Sequence, residues 1–422
     1  MTAVQAEALV QTEIFTDQID RVDLLVGIVS NINTGNVEIP LVKAHEGLGL
    51  TYPNLSSAIA FCDSSQKPEL KETFLGTPCP VPRIYQATEP GHPRKINSLF
   101  NLMRLAQRLR PKAIIALDGD LPSVKRTWIG RLAQPILCGS ADYTSPFYHS
   151  LKYDTPVTNI FGYPLFRTLF GRRLRQPFHT DRAFSLELNE FFLSNENWPT
   201  DLPYASVEMT LSILAIMNKA KICQSFMATP RLSWQNRALD LTTGRAFRQI
   251  AKSLFALADT FQDVWQNCKR SKPTAITGTE LSPPVIAPRQ IAPPEVFLAE
   301  IETIVTKHGA LWHQVFAGRK DWVYQKITNE SADSINITAE DWAIILFRSL
   351  VAYRELDAAS QEAFLEALTA VFYGRLLTWL QSGYGLSVPQ MESLTEEECV
   401  IFESKRPILF DGWNRPLNSV TA

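Results

Sequence analysis

Two carboxylates separated by one glycine, Asp118-Gly119-Asp120, close the apolar run Ala113-Ile114-Ile115-Ala116-Leu117. Short apolar runs rich in β-branched residues read as buried strands. A parallel strand with Asp-Gly-Asp at its carboxyl end sets two hard oxygen ligands where open α/β sheets bind their ligands. Mg²⁺ or Mn²⁺ held against a diphosphate is the chemistry such a pair serves; an acidic turn is the alternative. Asp63 ends a second run, Ala58-Ile59-Ala60-Phe61-Cys62, placed to hydrogen-bond a base or ribose, or else to form an Asx turn. Arg94 and Lys95 stand at the start of a helical pattern over 96–106. Cations there oppose the helix dipole unless an anion also binds, which points to phosphate. Arg172, Arg173, Arg175 and Gln176, close to His179 and Asp181, concentrate positive charge suited to an anionic substrate, because guanidinium pairs bidentately with carboxylate or phosphate.

The elements that must hold these residues follow from periodicity. Strands are expected over 22–29, 58–62, 113–117, 143–148 and 222–227, and helices over 39–50, 128–137, 164–170, 204–218 and 247–265. Glu208 then falls in the first turn of the helix over 204–218. A first strand feeding the small polar loop Ser30-Asn31-Ile32-Asn33-Thr34-Gly35 is how nucleotide-binding α/β domains begin. Neither GxGxxG nor GxxxxGK[ST] occurs. From residue 296 the pattern is helical, over 296–308, 338–355 and 358–380, without strand signals.

At 422 residues there is room for two domains. Hydrophobic residues make up 45% and charged residues 20%, ordinary for a globular protein. A formal net charge of −2 leaves no basic footprint for nucleic acid or an anionic membrane. No basic-then-apolar leader is visible and no segment reads as a membrane span. Cys62, Cys79, Cys138, Cys223, Cys268 and Cys399 are scattered, never in CxxC spacing. That suits a reducing compartment and argues against a thiolate zinc site, so a cytoplasmic protein is expected.

The order of these features resembles a GT-A type nucleotide-sugar glycosyltransferase, and more narrowly the mannosylglycerate and glucosylglycerate synthase-like family. The likeness runs through Asp118-Gly119-Asp120, Trp128-Ile129, the block Tyr148-His149-Ser150-Leu151-Lys152-Tyr153-Asp154, Thr158-Asn159 and Tyr163-Pro164-Leu165. It continues through Gly171-Arg172-Arg173-Leu174-Arg175-Gln176-Pro177, Asp181 and Phe184-Ser185, and extends from residue 22 to about 400. It implies a Rossmann-like, mostly parallel sheet followed by an all-helical region. It also implies a retaining transferase moving a hexose from a nucleotide-diphosphate sugar to a small hydroxy acid such as glycerate. Asp118, Asp120, Lys95 and Asp181 are then catalytic, with Asp118 and Asp120 on the metal. Donor binding falls to Asp63, Arg94, Lys95, Lys152 and Tyr153. The acceptor side falls to Arg172, Arg173, Arg175, Gln176, His179, Asp181 and Glu208.

Three departures stand against that pattern. Phe178-His179-Thr180-Asp181 replaces a glycine-rich stretch where backbone approaches substrate. Ser206 stands where relatives carry an acid, with Glu208 two residues on. Met227-Ala228-Thr229-Pro230-Arg231 contains no histidine where relatives supply a metal ligand, and Arg231 offers a guanidinium in its place. Two readings therefore stand: a transferase with a divergent acceptor side, or a degenerate GT-A protein that binds nucleotide or partners without catalysis. The expected division is a polar segment over 1–20, the transferase domain over 21–270, a proline-rich linker over 271–295, a helical domain over 296–400 and a tail over 401–422. Small-molecule substrates are expected, with no nucleic acid or membrane partner, and a homodimer is compatible with the sequence.

Overall fold

The computed structural model describes residues 10–89, 95–198, 206–231, 238–278, 290–315, 326–327 and 334–414. It divides into two compact units: 1–149, 174–236 and 273–285 form the first, and 150–173, 237–272 and 286–422 the second.

The first unit is a mixed sheet built from Val10–Phe15 (β1), Leu24–Val29 (β2), Ser57–Asp63 (β3), Arg83–Thr88 (β4), Ala113–Asp118 (β5), Tyr143–Phe147 (β6), Arg182–Ser185 (β7), Ile222–Phe226 (β8) and, after Ala238–Leu239 (β9) of the second unit, Ala275–Thr277 (β10). Strand order is β1-β4-β3-β2-β5-β7-β6-β8-β10. Strands β4, β3, β2 and β5 run parallel, as do β6, β8 and β10. Only β1 against β4, and β7 between β5 and β6, are antiparallel. The expected mostly parallel α/β sheet is present.

Both faces are covered, which is why β2 and β5 read as unbroken apolar runs, every residue buried. On one face Leu24, Val26, Ile28, Ile115 and Leu117 join a core with Leu41 and Ala44 of Glu38–Thr51 (α1) and Trp128 and Leu132 of a later helix. Pro68–Gly76 (α2) adds Leu70 and Phe74 to that core. On the other face Lys95–Leu109 (α3) lies so close to β2 that a Cβ on Gly27 would come within 2.3 Å of Leu102. The later helix is Thr127–Leu137 (α4). The chain winds outward from β2 through β3 to β4, then crosses back to β5. The winding thus reverses at the carboxyl ends of β2 and β5, the crevice where open sheets bind ligands.

The second unit is helical. Tyr163–Phe170 (α5), preceded by a π-helical turn over Thr158–Gly162, belongs to it, whereas Leu186–Ser194 (α6) and Ser206–Met217 (α7) belong to the sheet unit. Thr242–Thr260 (α8), Gln262–Gln266 (α9), Pro294–Val315 (α10), Ala339–Tyr353 (α11), Ala358–Ser382 (α12) and Val388–Trp413 (α13) complete it. Gln290–Ile291 (β11) pairs with β9. Helix α12 is its axis: Phe372 stacks on Phe247 of α8 at 4.4 Å, and Arg375 makes a buried ion pair with Glu398 of α13. Helix α12 is long and apolar enough to cross a membrane, contrary to the sequence reading. Its apolar window is 83% buried inside the protein, as a core helix requires.

Several expected boundaries shift. The polar opening segment contains β1, and β4 and β7 follow sequences too polar to announce strands. Residues 237–270, expected in the transferase domain, belong to the helical unit together with 271–272 of the expected linker, as do 150–173. The proline-rich stretch contributes β10 and β11, and α13 runs into the expected tail despite Pro407.

Candidate functional site

The crevice is built from the backbone outward. Gly119 donates its N–H to the Val29 carbonyl at 2.9 Å, which ties the loop after β5 to the end of β2. A Cβ at Gly119 would stand 3.1 Å from that carbonyl oxygen and 3.3 Å from Thr34, so a side chain between the two acids would press on the β2 loop. The Ser30 hydroxyl, first in that loop, donates to Asp63 Oδ1 at 2.9 Å, and Ser98 of α3 donates to the Ser30 carbonyl at 3.0 Å. Small polar residues follow β2 because the loop bridges β3, β5 and α3 through its own hydrogen bonds.

Asp118, Asp181 and Glu208 form a buried acidic core within the sheet unit. Asp118 Oδ2 accepts from Lys95 Nζ at 2.9 Å and Arg231 Nη2 at 2.7 Å, while Oδ1 takes the Asp120 N–H at 3.2 Å. Antiparallel β7 pairs Arg182 with Ala116 of β5 and so brings Asp181 beside Asp118. The Asp181 carboxylate accepts the Asp118 N–H at 2.9 Å, the Tyr148 hydroxyl at 2.6 Å and Arg231 Nε at 3.2 Å. Arg231 thus bridges two carboxylates, one nitrogen to each. Lys95 also reaches Glu208 Oε1 at 3.2 Å, which accepts from Thr180 as well, whereas Glu208 Oε2 is buried with no partner. Arg182, fully buried, holds the surrounding backbone by donating to the carbonyls of Thr180, His179 and Glu208.

The electrostatics follow from that packing. Burial alone would push the Asp118 carboxyl up, but the Lys95 and Arg231 charges hold it well below the usual carboxylate range. Burial and the Asp118 charge push half-buried Asp120 up. Burial, then the Asp181 charge, raises the Tyr148 phenol, so it remains a donor. Burial works against the Arg231 cation, and the Asp181 and Asp118 carboxylates more than restore it. Burial and the Arg231 guanidinium keep half-buried His179 well below the usual imidazole range, hence neutral. Its ring lies edge-on to Tyr148 at 5.4 Å.

The structure brings together Lys95, Asp118, Asp181, Glu208 and Arg231, with His179 beside them through Tyr148 and Asp120 one glycine away from Asp118. Asp63 lies at the end of β3, where Ser30, the Ser65 N–H (2.8 Å) and the Tyr85 hydroxyl (3.1 Å) occupy its oxygens. Gln176 supports the β6 end by accepting the Tyr148 N–H at 2.9 Å, and the Arg175 N–H bonds the Gln224 side chain at 2.6 Å. Lys152, Tyr153, Arg172 and Arg173 belong to the helical unit. There Tyr153 packs on Trp379 at 5.5 Å, Arg173 Nε donates to Ser271 at 3.3 Å, and Arg172 forms a backbone bridge with Lys272. The expected arginine cluster is therefore split between the two units. Arg94 lies outside the described residues. Sequence reasoning missed Arg182, Thr180 and Ser30; the alternation Thr180-Asp181-Arg182 entering a short strand was the available signal for the first two.

The donors present do not suit the expected metal pair, Asp118 and Asp120. Mg²⁺ requires near-octahedral oxygen ligation at about 2.0–2.1 Å. Asp118 and Asp181 already have their oxygens committed to Lys95, Arg231, Tyr148 and backbone N–H groups. Asp120 is the only other acid of the triplet. Among the described residues no group of three or more His, Cys, Asp and Glu could hold a metal ion. The donor set as built does not fit a divalent cation, because a permanent guanidinium charge occupies the space between the two strand-end acids.

No protein-family description matches this sequence, and no curated protein matches it. Part of the chain is similar to solved structures of glucosyl-3-phosphoglycerate synthase from Mycobacterium tuberculosis. The complex with phosphoglyceric acid is 17% identical at a TM-score of 0.38, covering 56% of this chain and 78% of that one. The complex with Mn²⁺, uridine diphosphate and phosphoglyceric acid is 16% identical at a TM-score of 0.40, covering 56% and 77%. A third, with Mg²⁺ and uridine diphosphate, is 16% identical at 0.38, covering 56% and 78%.

Proposed function

We propose that the protein is a cytoplasmic nucleotide-sugar glycosyltransferase of the GT-A type, moving a hexose with retention from a nucleotide-diphosphate sugar to a small hydroxy acid such as glycerate. The observation that carries this reading is the position of the charged cluster. Lys95, Asp118, Asp181 and Arg231 converge at the carboxyl end of β5, beside β2, where the strand order reverses. The resemblance noted in the sequence gives that crevice its substrate class. In the reaction, the bond from the anomeric carbon to the diphosphate oxygen breaks, and a bond to the acceptor oxygen forms on the same face. The acceptor proton passes to the departing diphosphate. Lys95 and Arg231 meet the charge that develops on the leaving group, which is the contribution fixed cations make in a water-poor site. Asp118 and Asp181 hold those two cations in place, and Arg182 fixes the strand carrying Asp181. The six free cysteines accord with the cytoplasmic assignment.

A second reading, nucleotide binding without transfer, draws support from Asp63. Its Oδ1 accepts from Ser30 and the Ser65 N–H, while Oδ2 accepts the Tyr85 hydroxyl and keeps acceptor capacity for a base or ribose donor. A panel of nucleotide-diphosphate hexoses incubated with glycerate and related hydroxy acids, with products read by mass spectrometry, separates the two. Transfer lost on Asp118→Ala supports the enzyme. Absence of product and of donor hydrolysis with every pair supports the binding protein.

A further inference from the structure

Arg231 follows β8 at the close of a tightly held turn over 227–230. Ala228 adopts a left-handed backbone, φ 58°, which a residue with a Cβ adopts only under constraint. The flanking Thr229 is held on both sides: its hydroxyl accepts from Trp128 Nε1 at 3.0 Å and its carbonyl from the His149 N–H at 3.2 Å. Pro230 stiffens the step before Arg231. The guanidinium is then fixed at Asp118 and Asp181, with 18% of the side chain still open to solvent. Guanidinium carries five N–H donors and cannot be deprotonated at any ordinary pH. Two of its nitrogens serve the acids here, and its remaining N–H groups suit phosphate oxygens, which guanidinium matches in a planar fork. The same two acids hold Arg231 and, with Asp120, would have to supply a cation site.

We propose that this site binds a nucleoside diphosphate without a divalent cation, the Arg231 guanidinium across Asp118 and Asp181 supplying, with Lys95, the positive charge for the diphosphate. The inference rests on the nucleotide-donor reading above and concerns how that donor is held. A metal entering between Asp118 and Asp181 must expel Arg231, and the expelled guanidinium would leave the Tyr148 hydroxyl as the remaining side-chain donor on Asp181. With Arg231 and Lys95 in place, two fixed positive charges already stand against Asp118, Asp181 and Glu208 before any ligand arrives.

Isothermal titration of the full chain with UDP, GDP and ADP, in EDTA and then in excess Mn²⁺, tests this directly. The expected result is binding of at least one nucleotide in EDTA with an affinity that Mn²⁺ changes by less than about three-fold, a shift well under the 1.4 kcal/mol of a decade. Arg231→Ala should weaken that binding by at least about ten-fold, as losing charge-assisted hydrogen bonds does, with or without Mn²⁺. Binding that appears only with Mn²⁺ overturns the metal-free inference and leaves the nucleotide reading standing. Binding equal in wild type and Arg231→Ala overturns the role of Arg231. No binding of any nucleotide in either buffer overturns both. Titration of nucleotide-free protein with Mn²⁺, followed by electron paramagnetic resonance, gives a separate readout that needs no variant to fold. The signal of hydrated Mn²⁺ should persist unchanged, and its loss at stoichiometric protein contradicts the inference.

Discussion

Asp118 and Asp181 are linked by one guanidinium, so neither can be altered without exposing the other's partners. Asp181→Asn should cost about 3 kcal/mol of stability, the scale for removing one member of a buried ion pair, read as a lower urea midpoint at unchanged slope. The Asp118 carboxyl is depressed, so its stabilising contribution is present above the unfolded carboxylate value and is lost only as the pH falls through the lower folded one. His179 operates in a milder window. Its folded imidazole is also depressed, so the unfolded chain takes up the proton first, and stability falls as the pH drops below about 6.5. Replacing it, as His179→Gln, should flatten thermal stability between pH 7 and 5 relative to wild type; an unchanged slope would contradict a neutral, half-buried imidazole. Residue types pointed to Lys95, Asp118, Asp181 and Glu208 because charge at strand and helix ends is conspicuous in a sequence, whereas Arg231 came into view only as a departure from the family pattern. The hub roles of Arg182 and Tyr148 were not legible: they depend on an antiparallel insertion that no local pattern announces.

Among the elements, the apolar runs of β2, β3 and β5 and the helices α1, α3 and α4 were readable from periodicity, since both faces of that part of the sheet are covered, whereas α2 was not. Strands β1, β4 and β7 were not. Their sequences, VQTEIF, RIYQAT and RAFS, mix charge with apolar residues because their side chains make specific polar contacts. Arg83 of β4 caps three carbonyls near the end of α2, and Glu13 of β1 pairs with Arg108. The loop after β5 offers a test at this scale. Gly119→Val places side-chain atoms against the Val29 carbonyl and Thr34, and should cost about 1–3 kcal/mol, as overpacking does. The same substitution should weaken nucleotide binding more than its stability cost explains, because it moves the Ser30–Gly35 loop. Equal nucleotide affinity in wild type and Gly119→Val would show that this loop does not shape the site.

For the whole molecule, the two compact units are interleaved along the chain, the helical one drawing on three separate stretches, 150–173, 237–272 and 286–422. Charged side chains tie these stretches together. Arg167 of α5 pairs with Glu396 at 2.5 Å and Glu403 at 2.6 Å on α13, and Tyr163 also reaches Glu396. A fragment ending at residue 270 would keep Arg167 and the α8 face carrying Phe247 but lose α12 and α13, so it should be insoluble or lack near-ultraviolet dichroism. A fragment with native-like dichroism would contradict the interleaved organisation. The central claim is that the reversal point beside β2 and β5 is a nucleoside diphosphate site, and thermal unfolding of the full chain against UDP, GDP and ADP tests it most directly. Ligand at one hundred times its dissociation constant stabilises the folded state by about 2.7 kcal/mol. Tm should rise with at least one of the three nucleotides and not in Asp118→Ala; no rise with any of them at millimolar concentration, with or without Mn²⁺, contradicts a nucleoside diphosphate site there.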